Sequence, residues 1–313
     1  MKDKPVVYVF FVLSISFLYS CIYFWLPIKK LNEICVFQST TPYGVMCVLS
    51  MALIVVTFYM FIPLITGFIL QKFIYNEPMK DIGLRFNFNL WYVIAWILPV
   101  IFAWLTLYVG TLIPGVEFDP SATGFIEKYK NIMEQEQLDI LQKQMENNTF
   151  NPYLSVIQML IAGLTITAFF AMGEEFGWRG FLLKSLENRK FFEKTMIIGF
   201  IWGIWHFPVV IQGHNYPQNP AIGCFMMVIW CILLTPFFIY VVTKTNSVFP
   251  AAIMHGTINS SAGYSILYLK GGNDLVIGMT GVSGFIVLIF FNIILIFYDK
   301  YIEKDKIIFK RNY

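Results

Sequence analysis

The sequence predicts an all-α polytopic membrane protein of about eight transmembrane helices built around an intramembrane polar cavity. Three observations carry this. The 313 residues are 58% hydrophobic and only 13% charged, about half the charged share of a soluble domain. Apolar runs near the roughly 20 residues that span a bilayer recur along the whole chain. A few ionisable residues nevertheless lie inside those runs. A chain of this composition cannot hide its apolar surface in its own core, so lipid is its main solvent and the bilayer its first partner.

Taken as helices, the runs fall at about 6–28, 44–70, 90–113, 153–184, 194–211, 221–243, 247–269 and 276–299. Met1-Lys-Asp-Lys and the apolar stretch after it look like a signal peptide, and Leu18-Tyr-Ser-Cys21 loosely resembles a lipoprotein cleavage box. Tyr19 fits that box badly and the run continues through Leu26, so a retained first helix is expected. Three regions follow. Residues 1–152 hold three helices and a polar loop at 114–152, residues 153–269 hold the helices with ionisable groups, and residues 270–313 hold the last helix and a basic tail. Within the loop, Glu127–Glu146 mixes Ile132, Met133, Leu138, Ile140, Leu141 and Met145 with charged and amide residues. That pattern predicts an amphipathic helix lying on the membrane or lidding it.

Lys and Arg set orientation. With both termini on one side of an eight-helix arrangement, that side holds 15 of the 22 basic residues, the other side holds 6, and Arg179 lies within a helix. The expected topology places both termini in the cytoplasm, and the Ile-, Phe-, Lys- and Asn-rich usage points to an AT-rich bacterium and its cell membrane. The net charge is +3 and the basic residues are scattered, which argues against a nucleic-acid partner. The five cysteines, Cys21, Cys35, Cys47, Cys224 and Cys231, show no CxxC spacing and read as small hydrophobes.

Ionisable groups cost about 2.5–3.5 kcal/mol each near the centre of a membrane helix, so those that remain are functional candidates. Here they are Glu174, Glu175 and Arg179 in Gly173-Glu-Glu-Phe-Gly-Trp-Arg-Gly180, His206 in Trp202-Gly-Ile-Trp-His-Phe-Pro208, and His255 with the amide Asn259 in His255-Gly-Thr-Ile-Asn259. Counted from Lys184, Lys194 and Ser247, Glu174, His206 and His255 all lie roughly 12–18 Å into the membrane at about 1.5 Å per residue. Glu175 and Arg179 are four apart and suit an internal salt bridge, while Glu174 points about 100° away and is free to face a cavity. His255 and Asn259 share a face by the same spacing. His214 sits in a polar loop and is expected to face water. Trp178, Trp202 and Trp205 flank the candidate site as walls of a substrate pocket. Trp91, Trp96, Trp104 and Trp230 read as interface or packing residues.

A carboxylate and an imidazole held around a water can deprotonate it for attack on a carbonyl, and His255 with Asn259 can present donors to the resulting oxyanion. The same atoms leave a zinc site open as an alternative, with Glu174, His206 and His255 as ligands and a fourth position for water. The local His-Glu-x-x-His signature is absent and the metal-free version is favoured.

The ordered set Glu174-Glu175-x-x-x-Arg179, then His206, then His255-x-x-x-Asn259 resembles the CPBP family of intramembrane proteases, also called CAAX proteases or the Abi family. The resemblance runs over about residues 153–265. It implies that Glu174 and His206 activate water, that His255 and Asn259 form the oxyanion hole, and that Glu175 and Arg179 support the site. In one departure, Trp202 stands where the family pattern has Phe. Eukaryotic members of the family remove a terminal tripeptide from prenylated CAAX proteins, and bacterial relatives are linked to bacteriocin processing or immunity. The expectation is thus an endopeptidase acting on a hydrophobic or lipidated peptide that enters from the cytoplasmic leaflet. A non-catalytic immunity or peptide-binding membrane protein is the alternative, and a transporter is a more distant third.

Overall fold

The computed structural model describes residues 3–25, 35–41, 44–131 and 151–309, with 135, 138–139 and 142–143 between the last two stretches. The chain is an all-α polytopic membrane protein. Helix α1 (Lys4–Trp25) is followed by a hairpin of β1 (Cys35–Thr41) and β2 (Gly44–Ser50), then α2 (Met51–Ile69), which runs on into a π turn at Leu70–Ile74. Helix α3 (Leu90–Thr111), the short strand β3 (Glu117–Phe118) and α4 (Thr123–Tyr129) precede the central region. That region comprises α5 (Pro152–Leu164), α6 (Ile166–Glu175), a π segment (Phe176–Leu182), α7 (Phe191–Trp205), α8 (Pro220–Thr245) and α9 (Phe249–Ser261). Strand β4 (Leu269–Lys270) pairs with β3, and α10 (Val282–Tyr301) ends the bundle.

Among the described residues, five helices are long and apolar enough to cross a membrane, and α5 with α6 makes a sixth span bent by 48°. Helix is nevertheless present at each of the eight expected runs. Helices α7 and α9 have 15 and 13 residues, which at about 1.5 Å per residue fall short of a roughly 30 Å hydrocarbon core. Hydropathy at 194–211 runs across a helix stop, because α7 ends with His206 as its C-cap just before Pro208. The run at 247–269 likewise crosses the end of α9 into a short helix at Tyr264–Leu267 and β4. The run at 44–70 starts as a strand, since an apolar stretch does not by itself distinguish strand from helix. The expected amphipathic helix at 127–146 lies largely outside the described residues.

The break between α5 and α6 has a local cause. Thr165 adopts φ −114°, ψ −101°. Its hydroxyl donates to the Ile161 carbonyl at 2.7 Å, and the Thr167 hydroxyl reaches the carbonyls of Ala162 and Gly256, both at 2.7 Å. Carbonyls released from the helix ladder are thereby kept paired inside the bundle.

Small residues let the helices approach. A Cβ on Gly173 would meet the Met60 carbonyl oxygen of α2 at 2.6 Å, and one on Gly177 would meet Pro63 Cβ at 2.5 Å. Gly199 and Gly203 sit equally close to Ile232 and Val228 of α8. Both pairs have the four-residue spacing that seats one membrane helix against another. Helix α9 is buried on nearly every side, from Pro250 through Ser261. Phe10, Phe169, Phe200, Phe225, Phe290 and Phe297 are exposed, an apolar outer surface suited to lipid.

Both ends of the chain lie on one face of the bundle. Lys4 pairs with Glu77 beyond α2, Asn89 at the start of α3 donates to the Lys244 carbonyl at the end of α8, and Lys244 pairs with Glu303 beyond α10. On the opposite face, Asp119 accepts from Ser121, Thr123 and Gly124, and Asp274 accepts from Gln218 and Asn219 at the start of α8.

Candidate functional site

Five of the polar residues singled out in the sequence, Glu174, Glu175, Arg179, His206 and His255, meet where α6, the π segment, α7 and α9 come together. Glu174 and Glu175 are the last residues of α6, and the backbone passes straight from them into the wider i→i+5 turns of Phe176–Leu182. Such π segments recur at functional sites, where they re-aim side chains. Both carboxylates are buried, Glu174 at 3% and Glu175 at 0% exposure.

The two neighbours have different partners. Glu175 Oε1 accepts from Arg179 Nη1 at 2.9 Å and from His255 Nδ1 at 2.8 Å. Arg179 packs against two rings set nearly at right angles, its guanidinium carbon 4.2 Å from the Trp202 centroid and 4.1 Å from that of Phe238. A buried cation needs this combination of counter-ion and π faces to offset desolvation. Glu174 instead turns to α7, where its Oε2 accepts from Trp202 Nε1 at 2.7 Å.

His206 Nδ1 lies 2.8 Å from the Trp202 carbonyl oxygen. A carbonyl can only accept, so this nitrogen carries a hydrogen and Nε2 is the atom left for chemistry. The same reasoning applies to His255, whose Nδ1 faces a carboxylate. Among the described residues, Glu174 Oε1, His206 Nε2 and His255 Nε2 have no hydrogen-bond partner. One turn beyond His255, Asn259 is exposed. His214 is also exposed, on the loop between α7 and α8.

The three tryptophans expected to wall a pocket are interior. Trp178, Trp202 and Trp205 are 0%, 1% and 1% exposed, so none of them faces an open groove. Trp178 meets Tyr8 edge-on at 5.8 Å, and Trp205 stacks on Tyr59 at 4.5 Å while donating to Ser16 at 2.8 Å. Helices α1 and α2 therefore back the site, although no ionisable residue inside them marks it in sequence. Tyr59, which also donates to the Trp205 carbonyl, was not singled out in the sequence, nor were Thr235 and Phe238 beside Arg179. Uncharged residues in apolar runs carry no signal above packing. A cavity of about 920 Å³ opens elsewhere, on the face that holds both termini, between Lys4, Glu77, Lys184 and Arg189.

A zinc ion would need Glu174, His206 and His255 to converge, and among the described residues no three His, Cys, Asp or Glu side chains are placed together to hold one.

Residues 155–261 match the family model described as Rce1-like, type II CAAX prenyl endopeptidase, and that segment contains the five ionisable residues of the cluster and Asn259. CAAX prenyl protease 2 of Methanococcus maripaludis is 39% identical over 44 residues, 14% of this chain. The matched stretch spans 16% of that relative's length.

Proposed function

From an Rce1-like segment that contains every polar residue of the cluster, we propose that this chain is an intramembrane endopeptidase of the glutamate type. The observation that supports it best is the pairing in the cluster. Glu175 Oε1, Arg179 Nη1 and the two Nδ1 atoms are committed to each other or to backbone, while Glu174 Oε1 and the Nε2 atoms of both histidines are left unbonded on the side away from the buried Glu175–Arg179 pair, whose Oε2 and Nε also lack partners.

In this reading, Glu174 Oε1 and His206 Nε2 hold a water and take its proton as the oxygen attacks the scissile carbonyl. The carbonyl π pair moves onto oxygen, where His255 Nε2–H and the Asn259 amide donate to the charge. For His255 to donate there, its ring must be doubly protonated, because its other hydrogen is committed to Glu175. Collapse of the intermediate breaks the C–N bond, and the proton held at Glu174 passes to the leaving amine.

The substrate we propose is a hydrophobic or lipidated peptide cleaved near its C-terminus, in keeping with the CAAX prenyl protease name of the curated relative. The face that carries both termini is also rich in lysine and arginine, which supports a cytoplasmic assignment for it by the positive-inside rule. Substrate then enters from the cytoplasmic leaflet, in a bacterial cell membrane.

The test is cleavage of farnesylated and unfarnesylated CAAX-type peptides by the purified protein in nanodiscs. Glu174→Ala and His206→Ala are each expected to lower the rate by about 10²–10⁴-fold, and a strong chelator to leave it unchanged. Wild-type rates in both variants would sink the hydrolytic reading, and loss of activity with chelator would sink its metal-free form.

A further inference from the structure

We infer that Trp202 is a positioning residue of this site, fixing the Glu174 carboxylate through its indole N–H. The inference rests on the hydrolytic reading above only for its kinetic consequence. Its basis is geometric. Among the described residues, Trp202 alone contacts each of the charged or titratable members of the cluster except Glu175. Its Nε1 donates to Glu174 Oε2 at 2.7 Å, its ring lies 4.2 Å from the Arg179 guanidinium, and its centroid is 5.6 Å from that of His206 and 5.5 Å from that of His255. Its carbonyl is the acceptor that fixes His206.

The indole has no room to turn away. It is 1% exposed and wedged edge-on against Phe238 at 5.7 Å, with Trp230 at 6.2 Å. The next residue, Gly203, brings α7 so close to α8 that a Cβ there would meet Val228 Cα at 2.5 Å. The donor is thus delivered by the helix packing itself.

Residue type matters here. A phenylalanine would keep a ring face for Arg179 and leave Glu174 Oε2 without the indole donor. With Trp202 present, Oε2 is anchored, the carboxylate cannot rotate, and Oε1 is the oxygen left for a water. Anchoring of this kind acts on orientation in the reacting complex and leaves remote substrate contacts alone, so it appears in kcat rather than KM. Trp202→Phe isolates the effect, because the backbone carbonyl that holds His206 survives the substitution.

Two measurements test this. In wild-type protein labelled with ¹⁵N at Trp202 by nonsense suppression, the indole N–H resonance is expected to move in both Glu174→Gln and Glu174→Ala. These variants retain Trp202, so the readout stands even where Trp202→Phe is unstable. An unmoved resonance in both would overturn the inference. In peptide cleavage, Trp202→Phe is expected to lose about 10- to 100-fold in kcat, as expected for one hydrogen bond to a charged group, with KM within about twofold. Wild-type kcat in Trp202→Phe, alongside an inactive Glu174→Ala, would overturn the positioning role and leave hydrolysis standing. A shifted resonance in a protein that cleaves no peptide would support the anchoring of Glu174 and refute the hydrolytic reading instead.

Discussion

His255 donates its Nδ1–H to Glu175 Oε1 at 2.8 Å, joining α9 to the end of α6 across 80 residues of sequence. The same oxygen accepts from Arg179, so one carboxylate balances a guanidinium and orients an imidazole. Glu175 Oε2 has no partner and is buried. The cluster is therefore asymmetric, with both donors crowded onto a single atom. That arrangement fixes the His255 ring and sends Nε2 outward, away from the ion pair.

Glu175→Gln tests this junction. The substitution keeps the shape and removes the charge, which leaves Arg179 buried between Trp202 and Phe238 without a counter-ion. Breaking one side of a buried pair costs about 3–5 kcal/mol. Denaturant unfolding in mixed micelles should show a loss of that order. A loss below about 0.5 kcal/mol, the range of ordinary surface substitutions, would mean that the junction does not anchor α9.

Much of the site was legible because ionisable groups are scarce in membrane helices. Glu174, Glu175, Arg179, His206 and His255 stand out against apolar surroundings, and the i,i+4 spacing of Glu175 and Arg179 predicts the 2.9 Å contact found between them. What periodicity does not contain is which helix faces which. Trp202 and Glu174 are 28 residues apart, and nothing local says that this indole is a donor to a carboxylate instead of a pocket wall. The break at Thr165 was equally hidden, since its cause is a hydroxyl bonding back to Ile161 within an apolar run. Composition established lipid as the solvent and the apolar runs located the helices, but the shortness of α7 and α9 was hidden, because their runs continue past His206 and Ser261 into short helical turns.

Gly177 provides a packing prediction. A methyl group there would sit 2.5 Å from Pro63 Cβ and 2.8 Å from the Pro63 carbonyl carbon, and backbone cannot move aside as a flexible side chain can. Gly177→Ala should destabilise the protein by about 1–3 kcal/mol, the usual cost of overpacking. Gly263→Ala is the matched control, because nothing lies within 4 Å of its Cβ position, and it should stay within about 0.5 kcal/mol of wild type. Equal unfolding midpoints for the two variants would contradict the close α2–π segment approach.

The pair on the terminal face predicts a pH dependence separate from the buried cluster. The hydrogen bond from Lys244 at 2.7 Å is the main cause that holds the Glu303 carboxyl below its ordinary range, outweighing partial burial. A carboxyl with a lowered pKa in the folded state stabilises it above the unfolded value of about 4.3, and that contribution is lost as pH falls through the folded value. Wild-type stability should therefore decline from about pH 4.3 downward, with part of the decline due to this pair. Glu303→Gln has no proton to gain, so its unfolding midpoint should lie below that of wild type at neutral pH, and the gap should close as pH is lowered. Parallel pH profiles for the two proteins would show that the Lys244 contact adds nothing to folding, and that α8 and α10 are held by apolar packing and by the Tyr240–Asp299 hydrogen bond of 3.0 Å.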